Sequence, residues 1–495
     1  MAKVSKRPAP ILVVGRWRAA HGQATREIRN PANGQLVGVA ADCDAADADR
    51  AVQAARAAQV DWGKKPGVEK AVLLRQVGER IRHMGKDLAT LMAKETGKPL
   101  IEAMDCIEWV AACWEYYAEV GRASRGNSIP PVAPHQLNFT IKEPYGVVAA
   151  IVPFNFPLLL MAWKVAPALA AGNTVVCKPP HQNPLSNLMM ARAYQALPPG
   201  VVNVITGDGP VAGEALLQHP GVDLIAFTGS TQVGRHIAAE AGRQLKKVNL
   251  ELGGIDPFIV FADADIEVAV RAVAWARLLN AGQVCTSSKR IYLVKEIAAE
   301  FTHRLVAYVK TLKVGDPLKG DTDVGPLIDA GAVKKVAGQV RRTVKEGAQV
   351  LLGGRPLPGP GHFFAPTILA GVRHGGLPTT EEIFGPVISL IVAADADDAI
   401  RMANDSNYGL GAVVYTRSLQ LALHAMDSIR AGTFWVNDPL TDNDAAPFGG
   451  SRWSGVGREL GEEGLDAFRE AKHVHIDYVQ EVKPFWFPNK QREVK

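Results

Sequence analysis

The sequence predicts an α/β protein in which a parallel sheet carries helices on both of its faces. Helical stretches alternate with short apolar runs at residues 146–152, 174–177, 201–205, 224–227 and 248–252. This alternation is typical of a β-α-β series, which builds a parallel sheet. Because such sheets bind ligands beyond the carboxyl ends of their strands, we expect functional residues at that edge.

A second α/β block follows the first one along the chain. A helix is predicted over residues 266–280, and strand-like apolar runs cover residues 388–392 and 412–415. Neither block contains a repeat at the spacing of a solenoid. The sequence therefore indicates two different α/β units.

The remaining segments predict helices, a connector and two edge strands. The part up to about Tyr117 is predicted to be helical, with an apolar stripe of Val72, Leu73, Val77 and Ile81. Residues 121–134 are rich in Gly, Ser and Pro, which indicates a connector. Strict alternation predicts half-exposed strands over residues 137–141 and 474–478. These two strands would pair either within the chain or with another subunit.

Length, charge and cysteine content exclude several classes of protein. The 495 residues suggest about three structural units. The net charge of +5 comes without a basic stripe, which argues against nucleic acid as a partner. Five cysteines without a C-x-x-C pair argue against a disulfide framework and against a cysteine-based zinc site, so no metal is predicted. Sparse cysteines also fit a reducing, cytoplasmic location.

The longest uncharged run, residues 146–163, approaches the length of a membrane span. Pro153, Asn155 and Pro157 interrupt its middle. We therefore predict a buried strand, a turn and the start of a helix, in a protein without a membrane partner.

The glycine motifs are ambiguous by themselves. Residues 207–213 have the wrong spacing for a dinucleotide fingerprint, and residues 229–234 lack the Lys-Ser/Thr of a P-loop. Each group could be ordinary turn chemistry. However, residues 227–230 follow a predicted strand and precede a predicted helix, so their backbone N–H groups would face a phosphate.

Cys285 is the cysteine that best fits a catalytic role. It lies among small residues in Gly282-Gln283-Val284-Cys285-Thr286, just after a long predicted helix. A thiolate there would attack an aldehyde carbonyl and form a thiohemiacetal, which is a good hydride donor. The alternative is that Cys285, like the other cysteines, is a small buried hydrophobic residue.

Two further polar residues are candidates for chemistry. Glu251 lies on the opposite strand face from Val248, Leu250 and Leu252, at the predicted carboxyl end, where burial would raise its pKa and make it a general base. The alternative is an exposed, ion-paired glutamate. Asn155 stands between apolar residues, and its amide would donate to an oxyanion. The alternative for Asn155 is a turn cap.

Taken together, seven segments resemble the aldehyde dehydrogenase superfamily. They are Pro153-Phe154-Asn155-Phe156-Pro157, Lys178-Pro179-Pro180, the F-T-G-S-x-x-x-G of residues 227–234, the L-E-L-G-G of residues 250–254, the G-Q-x-C of residues 282–285, the E-E-I-F-G-P of residues 381–386 and the P-F-G-G of residues 447–450. Their order and approximate spacing hold over nearly the whole chain.

The resemblance implies a role for each matching residue. Cys285 would be the nucleophile, and Asn155 with the Cys285 backbone N–H would form the oxyanion hole. Glu251 would activate the water that hydrolyses the thioester, and Lys164 and Glu459 would relay protons to it. The residues implied to bind NAD(P)+ are Ile151, Pro153, Phe154, Lys178, Pro180, His181, Gly209, Gly213, Phe227, Gly229, Ser230, Gly234, Leu252, Glu382 and Phe384.

His181 departs from the family pattern. Many NAD-preferring members have a glutamate three residues after the lysine that corresponds to Lys178, and it repels a 2′-phosphate. With His181 at that position, we expect NADP+ to be used at least comparably to NAD+. The alternative is that His181 points to solvent while NAD+ still binds through Lys178.

The resemblance also implies an aldehyde tunnel lined by Trp109, Cys113, Phe156, Trp163, Leu440 and Phe448. Its apolar and aromatic surface favours aromatic or medium-chain aliphatic aldehydes, or a betaine-type aldehyde held by cation–π contact. None of these positions is Arg or Lys, so semialdehydes with a carboxylate are disfavoured.

The implied architecture is a Rossmann-like cofactor-binding domain, a catalytic α/β domain and a small β oligomerisation element. We assign residues 1–125 and 144–253 to the first, 254–453 to the second, with 454–470 returning to the cofactor domain, and 126–143 and 471–495 to the third. A homodimer or homotetramer is expected. The alternatives are a CoA-acylating relative, which commonly lacks the base at Glu251, and a non-catalytic structural member.

Overall fold

The structure is a computed structural model that describes residues 7–123, 126–483 and 485–487. Its helices are α1 (Ala45–Lys64), α2 (Gly67–His83), α3 (Gly85–Thr96), α4 (Leu100–Ala123), α5 (Pro157–Ala171), α6 (Leu185–Met190), α7 (Glu214–Gln218), α8 (Thr231–Arg243), α9 (Ile266–Leu278), α10 (Lys295–Val309), α11 (Ala330–Lys345), α12 (Leu377–Thr380), α13 (Ala396–Asn404), α14 (Leu419–Ser428) and α15 (Gly461–Asp466). Its strands are β1 (Ile11–Val13), β2 (Arg16–Arg18), β3 (Thr25–Arg29), β4 (Leu36–Ala41), β5 (Ser128–Ile129), β6 (Gln136–Pro144), β7 (Val147–Ile151), β8 (Thr174–Lys178), β9 (Val202–Val204), β10 (Leu224–Thr228), β11 (Lys247–Glu251), β12 (Asp256–Val260), β13 (Ser288–Val294), β14 (Gln349–Leu352), β15 (Thr367–Ala370), β16 (Val387–Ala393), β17 (Gly411–Tyr415), β18 (Thr433–Val436), β19 (Gly455–Val456) and β20 (Arg469–Asp477).

The first large sheet has the strand order β19-β11-β10-β7-β8-β9-β1-β2. Its five central strands, β11, β10, β7, β8 and β9, run parallel to one another. These are the five apolar runs of the predicted β-α-β series, so that prediction is confirmed. Burial on both faces explains why each run is continuously apolar.

The prediction of an all-helical N-terminal part is wrong before Ala45. Strands β1 to β4 occupy this region, and β1 adds antiparallel to the edge of the first sheet beside β9. A strand as short as Ile11–Val13 shows no periodicity in the sequence, and the sheet it joins lies far along the chain.

Two residues of the predicted apolar stripe of the N-terminal helices, Val77 and Ile81, are buried, whereas Val72 and Leu73 are not fully buried. Val72 is 46% exposed, whereas Leu74 is buried together with Ala71, Val77 and Ile81. The buried positions are spaced by three or four residues, as one face of a helix requires. Helix α2 packs this face against α4.

The second large sheet has the order β14-β15-β16-β13-β12-β17-β18 and is parallel except for the edge strand β14. The predicted strands at residues 388–392 and 412–415 correspond to β16 and β17. The helix predicted over residues 266–280 ends at Leu278, and a tight turn, Leu279–Gly282, follows it.

A third sheet has the order β20-β6-β5. Strands β6 and β20 are the two predicted edge strands, and they pair antiparallel with each other from Gln136↔Asp477 to Pro144↔Arg469. Of the two alternatives, pairing within the chain is therefore the one observed. The predicted boundary at residue 125 and the two chain ends, 1–6 and 488–495, lie outside the described residues.

Two features are absent from the part of the chain that the structure describes. Across residues 7–123, 126–483 and 485–487, no helix combines the length and apolar character that crossing a membrane requires. Over the same residues, no group of three or more His, Cys, Asp or Glu side chains is placed to hold a metal ion.

Candidate active site

The predicted site residues meet at the carboxyl edge of the first sheet. Strand pairing aligns Ile151 with Phe227 and with Lys178, and it aligns Thr228 with Glu251. Each of these residues lies at or next to the last position of its strand. The parallel arrangement therefore brings together residues that are up to about a hundred positions apart, as expected for such a sheet.

The glycines after β10 form a close backbone passage at the start of α8. A Cβ atom at Gly229 would collide with the Phe227 ring, and one at Gly234 would collide with Leu252. Ser230 is the N-cap of α8 and accepts a hydrogen bond from the Val233 N–H at 3.3 Å. The first turn of α8 contains no acidic residue. This helix end suits a phosphate group.

Lys178 lies at the end of β8 and is buried. Its ammonium group donates to the Pro179 and Gly207 carbonyl oxygens at 3.0 and 3.1 Å. Burial lowers the Lys178 pKa to about 8, and the Asp208 carboxylate opposes this shift. Gly213 packs against its side chain, and Gly209 begins the turn of residues 209–213.

His181 faces an acidic residue that the sequence analysis did not consider. Its Nδ1 is 3.4 Å from an Asp208 carboxylate oxygen. Arg26 lies 4.0 Å from Asp208 and 3.1 Å from Asp42. Burial lowers the pKa of His181, and Asp208 opposes that shift. This end of the cleft is therefore a mixed cluster of charges.

The remaining predicted cofactor residues lie along the same cleft. The Phe154 and Phe384 rings meet edge to face at 5.9 Å, which links the turn after β7 to the second block. Pro153 lies between Val152 and Phe154 in that turn, and Pro180 is buried beside Lys178. The Glu382 carboxylate is 3.1 Å from Lys289 and accepts from the Gly254 N–H at 3.4 Å.

The segment before Cys285 holds an unusual backbone conformation. Asn280, Ala281 and Gly282 all have positive φ, at 51°, 56° and 73°. A Cβ at Gly282 would collide with the Gly385 carbonyl. Each left-handed non-glycine residue costs roughly 1–2 kcal/mol, so the surrounding contacts must impose this turn.

Arg277 supplies several of those contacts. It is fully buried at the end of α9. Its guanidinium donates to the Gly282 carbonyl at 3.1 Å, to Ser287 Oγ at 2.7 Å and to the Val387 and Ile383 carbonyls at 2.7 and 2.6 Å. A planar, charged donor thereby fastens both sides of the Cys285 loop to the second sheet.

Cys285 is partly exposed, while the other cysteines are buried, and none of the five forms a disulfide. Burial nevertheless raises the pKa of its thiol to about 12, opposed mainly by the Lys289 ammonium. Lys289 donates to the Val284 and Cys285 carbonyls at 2.9 and 2.5 Å. The nucleophile is therefore a thiol that needs a base or a bound ligand to ionise.

Asn155 is buried beside the Cys285 loop. Its Nδ2 donates to the Gln283 carbonyl at 3.0 Å, and the Asn280 side chain donates to the Asn155 carbonyl at 3.1 Å. An amide nitrogen carries two hydrogens, so one remains to donate elsewhere. The contacts hold the amide two residues from the nucleophile, as an oxyanion donor requires.

Glu251 is 3% exposed, and within the described residues neither of its oxygens has a hydrogen-bond partner. Burial and the Glu459 carboxylate raise its pKa well above the ordinary value, although Lys164 opposes this. Thr228, its neighbour across the sheet, accepts from Lys164 Nζ at 2.5 Å, and Lys164 forms a buried ion pair with Glu459. Thr228, Lys164 and Glu459 are therefore connected to one another, and the charges of Lys164 and Glu459 act on Glu251.

A cavity of about 600 Å³ opens at Cys285. Five of the six predicted tunnel residues line it, namely Trp109, Phe156, Trp163, Leu440 and Phe448. The sixth, Cys113, does not: it is fully buried in the core next to Trp114. Helix α4 explains the correction, because Cys113 is four residues beyond Trp109, a full turn deeper in the packed part of the helix.

Several site residues were missed by the sequence analysis. Arg277, Lys289 and Asn280 act through hydrogen bonds to the Cys285 loop, and Asp208 faces His181. A charged residue within an apolar helix was the available signal for Arg277, since an unpaired buried charge needs many partners. Asp208 carried no comparable signal.

Comparisons with known proteins agree with this geometry. The model of the aldehyde dehydrogenase family matches residues 17–474. Mitochondrial aldehyde dehydrogenase of Sus scrofa is 39% identical over 95% of this chain and 91% of its own length. The structure of betaine aldehyde dehydrogenase from Staphylococcus aureus in complex with NAD+ superposes with a TM-score of 0.94 at 32% identity, covering 98% of this chain and 97% of that one.

An NADP-dependent enzyme of E. coli is also similar, with a TM-score of 0.93 at 38% identity over 95% of this chain and 98% of that one. These matches span nearly the whole chain, so they confirm the fold class of a Rossmann-like cofactor-binding unit with a catalytic α/β unit. They also confirm the resemblance found in the sequence. The chain is an oxidoreductase that belongs to the aldehyde dehydrogenase family.

Proposed function

We propose that this enzyme oxidises an aldehyde to a carboxylic acid with NAD(P)+, through a thiohemiacetal on Cys285 and a hydrolysis assisted by Glu251. The observation that carries the proposal is the position of Glu251. It is a buried carboxylate without a hydrogen-bond partner in the described chain, and its charge acts directly on the Cys285 thiol. A carboxylate kept in this state is suited to accept a proton.

The first step joins the Cys285 sulfur to the aldehyde carbon, and the thiol proton leaves to a base. The carbonyl oxygen becomes an oxyanion, which the free Asn155 N–H and the Cys285 backbone N–H would stabilise. When bound, NAD(P)+ supplies a hydride acceptor. Loss of the hydride from the thiohemiacetal carbon converts the adduct on Cys285 into a thioester. Glu251 then takes a proton from water, whose oxygen adds to the thioester carbon before the C–S bond breaks.

The proton taken by Glu251 must leave the buried site. Thr228, Lys164 and Glu459 are a connected set of groups that could receive it, because Lys164 contacts both of the others and the charges of Lys164 and Glu459 act on Glu251. We propose that these side chains return Glu251 to its ionised form between turnovers. Lys164 and Glu459 then act as proton-relay residues, as the resemblance implied.

The cleft residues fit a dinucleotide. A Cβ at Gly229 or Gly234 would collide with a neighbouring side chain, so the backbone passes closely at both positions. The backbone N–H groups at this helix start would bind the pyrophosphate. Lys178 uses two of its three N–H bonds for carbonyls, so one is left for a ribose hydroxyl. Glu382 would accept from the other ribose.

We further propose that NADP+ is used at least comparably to NAD+. His181 removes the carboxylate that would repel a 2′-phosphate, and Lys178 lies near as a cation. Asp208 acts in the opposite direction, because its carboxylate is within 3.4 Å of His181. Arg26 beside Asp208 reduces that repulsion.

The finer features of the enzyme are also proposals. The substrate is an aromatic, medium-chain aliphatic or betaine-type aldehyde, and the active form is a homodimer or homotetramer in the cytoplasm. We propose a cofactor-binding domain of residues 1–125 and 144–253 and a catalytic domain of residues 254–453, with residues 454–470 returning to the cofactor-binding domain. Residues 126–143 and 471–495 would form the oligomerisation element. The unpaired cysteines are in keeping with the proposed location.

The competing function is CoA acylation, in which CoA rather than water takes the acyl group from Cys285. Glu251 favours hydrolysis over this alternative. The test is to run the purified enzyme with an aldehyde panel and both cofactors, with and without CoA, and to identify the product. Carboxylic acid formed without CoA is expected, whereas acyl-CoA as the main product would contradict the proposal. Absence of turnover with every aldehyde would leave only a non-catalytic role.

A further inference from the structure

The loop that carries Cys285 presents its carbonyl oxygens to buried side chains. The successive carbonyls of residues 282–285 all accept hydrogen bonds from side-chain donors. Arg277 binds the first of these carbonyls, and Asn155 binds the second. Lys289 binds the last two, at 2.9 and 2.5 Å. The oxygen side of the loop is therefore fastened to the protein, and Lys289 fixes the part that contains the nucleophile.

Lys289 lies on β13, just after the Cys285 loop, and is 2% exposed. It does not line the cavity, whereas Val284, Cys285 and Thr286 do. Its third polar partner among the described residues is the Glu382 carboxylate, 3.1 Å from Nζ. An ammonium group has three N–H donors, so these three oxygens account for all of them. The ammonium group is therefore held behind the loop, with its N–H bonds directed at oxygen atoms and not at the sulfur.

The bond from Lys289 to the Val284 carbonyl also fixes the direction of the Cys285 N–H. The two groups belong to one peptide unit, and in a planar trans peptide the C=O and N–H bonds point in opposite directions. Because the Val284 oxygen points at the buried ammonium group, the Cys285 N–H points away from it, towards the side of the loop that lines the cavity. Among the residues that the structure describes, this N–H has no hydrogen-bond acceptor. It is free to donate to a ligand.

The charge of Lys289 provides an alternative explanation for its position. Burial raises the pKa of the Cys285 thiol to about 12, and Lys289 is the group that opposes this shift. Three carboxylates act in the same direction as burial, those of Asp256, Glu382 and Glu251. The charge of Lys289 would help the thiolate to form, whereas its hydrogen bonds would stabilise the adduct that the thiolate makes. The two roles concern different steps, so they can be separated by experiment.

We propose that Lys289 is the positioning residue of the oxyanion hole: its ammonium group holds the Val284–Cys285 peptide so that the Cys285 N–H is directed at the carbonyl oxygen of the substrate. Glu382 in turn holds the ammonium group, and Glu382 is also the residue proposed to bind a ribose of the cofactor. One ion pair therefore connects the cofactor cleft to the oxyanion hole. This inference rests on the proposed aldehyde oxidation and adds a residue to its first step.

The test compares two reactions of Cys285 that need no cofactor. Acylation by p-nitrophenyl acetate, measured as kcat/KM for ester hydrolysis, passes through an oxyanion, whereas alkylation by iodoacetamide displaces iodide and forms no oxyanion. Both reactions start from the thiolate, so the ratio of the two rate constants at one pH does not depend on the ionisation of the thiol. We expect Lys289→Met to lower this ratio by about 10- to 100-fold, which is less than the complete loss of an oxyanion donor costs.

Ser288→Ala is the matched control. Ser288 is buried next to Lys289, and its hydroxyl has no hydrogen-bond partner in the described chain, so the ratio should stay within about twofold of the wild type. Uptake of a single iodoacetamide per chain shows that a variant is folded, since every cysteine except Cys285 is buried. If Lys289→Met fails this check, the double variant Lys289→Met/Glu382→Gln leaves no unpaired carboxylate charge and should show the same fall in the ratio.

Two results would overturn the inference. Equal losses of ester hydrolysis and alkylation in Lys289→Met would mean that Lys289 acts only through its charge or through access to the thiol. The same fall of the ratio in Ser288→Ala would mean that any change beside the loop disturbs the site. Cys285→Ala should lose both reactions, and ester hydrolysis that survives in this variant would instead overturn the nucleophile of the proposed function.

Discussion

The carboxylates on the cofactor side of Cys285 and those on its aldehyde side differ in their charged partners. On the cofactor side, Glu382 is 3.1 Å from Lys289, and Glu459 is paired with Lys164. On the aldehyde side, Asp105 is exposed and shares the charge of Lys98 with Glu102, whereas Asp442 forms no ion pair among the described residues. The two sides contain similar groups, so the difference lies in where the chain has placed its lysines.

This difference separates two uses of a carboxylate. A carboxylate with a built-in cation is stabilised in its charged form while the enzyme is at rest, so it is suited to hold ribose hydroxyls or to accept a proton from a neighbouring group. A poorly solvated carboxylate without a cation holds its proton more strongly, as at Asp442, whose pKa burial and Asp444 raise to about 7. Glu251 belongs to neither group, because it must change its charge during each turnover.

The largest effect on activity is expected at Cys285, which lies between the cofactor side and the aldehyde side. Cys285→Ala should abolish dehydrogenase activity, with a loss of more than about a thousandfold, because no other group forms the covalent intermediate. Binding of NAD+ and NADP+, measured by fluorescence titration, should change little. Cys113→Ala removes a thiol that is buried in the core and should stay active. Residual activity above a tenth of the wild type in Cys285→Ala would refute the role of this thiol.

Removing a built-in cation should destabilise the protein. Lys164→Met leaves Glu459 buried without its partner, and we expect the free energy of unfolding, from urea denaturation, to fall by about 3–5 kcal/mol. The double variant Lys164→Met/Glu459→Leu should recover a large part of that loss, because no uncompensated charge remains. A double variant as unstable as the single one would mean that packing, and not charge balance, dominates.

Replacing Glu251, the proposed base, should separate the acylation of Cys285 from the deacylation. Glu251→Gln should still give a burst of reduced cofactor in stopped flow, whereas steady-state turnover should fall by on the order of a hundredfold. Deacylation requires an activated water, and glutamine cannot accept its proton. If burst and steady-state rates fall by the same factor, Glu251 instead removes the proton of the Cys285 thiol, whose pKa of about 12 makes such help useful.

Cofactor choice should respond to the charge at His181. His181→Glu should shift the ratio of kcat/KM values for NADP+ and NAD+ about tenfold towards NAD+, while Asp208→Asn should shift it towards NADP+. Burial lowers the His181 pKa below its ordinary value of 6.5, so its protonation strengthens NADP+ use only at more acidic pH. A wild-type preference for NAD+ of about a hundredfold would show that other residues decide the choice.

The smallest effect concerns stability against pH. The folded-state pKa of Glu251 is raised above 4.5, so the folded protein holds this proton more tightly than the unfolded chain does. Its contribution to stability is therefore present below pH 4.5 and is lost as pH rises towards the folded-state pKa. Titration of Glu251 changes the free energy of unfolding by at most about 1.4 kcal/mol per pH unit. Glu251→Gln should flatten urea-denaturation stability over that range, and an unchanged slope would contradict the raised pKa.

Much of the first sheet was predictable because its central strands are buried on both faces and form continuous apolar runs. Glu251 was identified for a related reason, since alternation with Leu250 and Leu252 placed it at a strand end. By contrast, β1 is too short to show any period. It forms a hairpin with β2 through a two-residue turn and joins the first sheet by pairing with β9, which lies far along the chain.

The candidate site was predictable where residues of one motif act together, as for Cys285 and Asn155. Asp442 and Lys289 were not predictable, because their roles depend on what lies beside them after folding. Asp442 lines the cavity only because the segment after β18 folds against it. Lys164 and Glu459 were found through family resemblance alone, since 295 positions separate them.

That separation has a consequence for how the chain is made. Lys164 is synthesised long before Glu459, so in a growing chain its ammonium group lacks the carboxylate with which it pairs in the folded enzyme. Burying it without that carboxylate is unfavourable, so we expect α5 to dock fully on its sheet only when the segment after β19 arrives. The active centre thus forms late, by closure of a long loop, and an enzyme interrupted before this segment would expose the apolar face of α5 to aggregation.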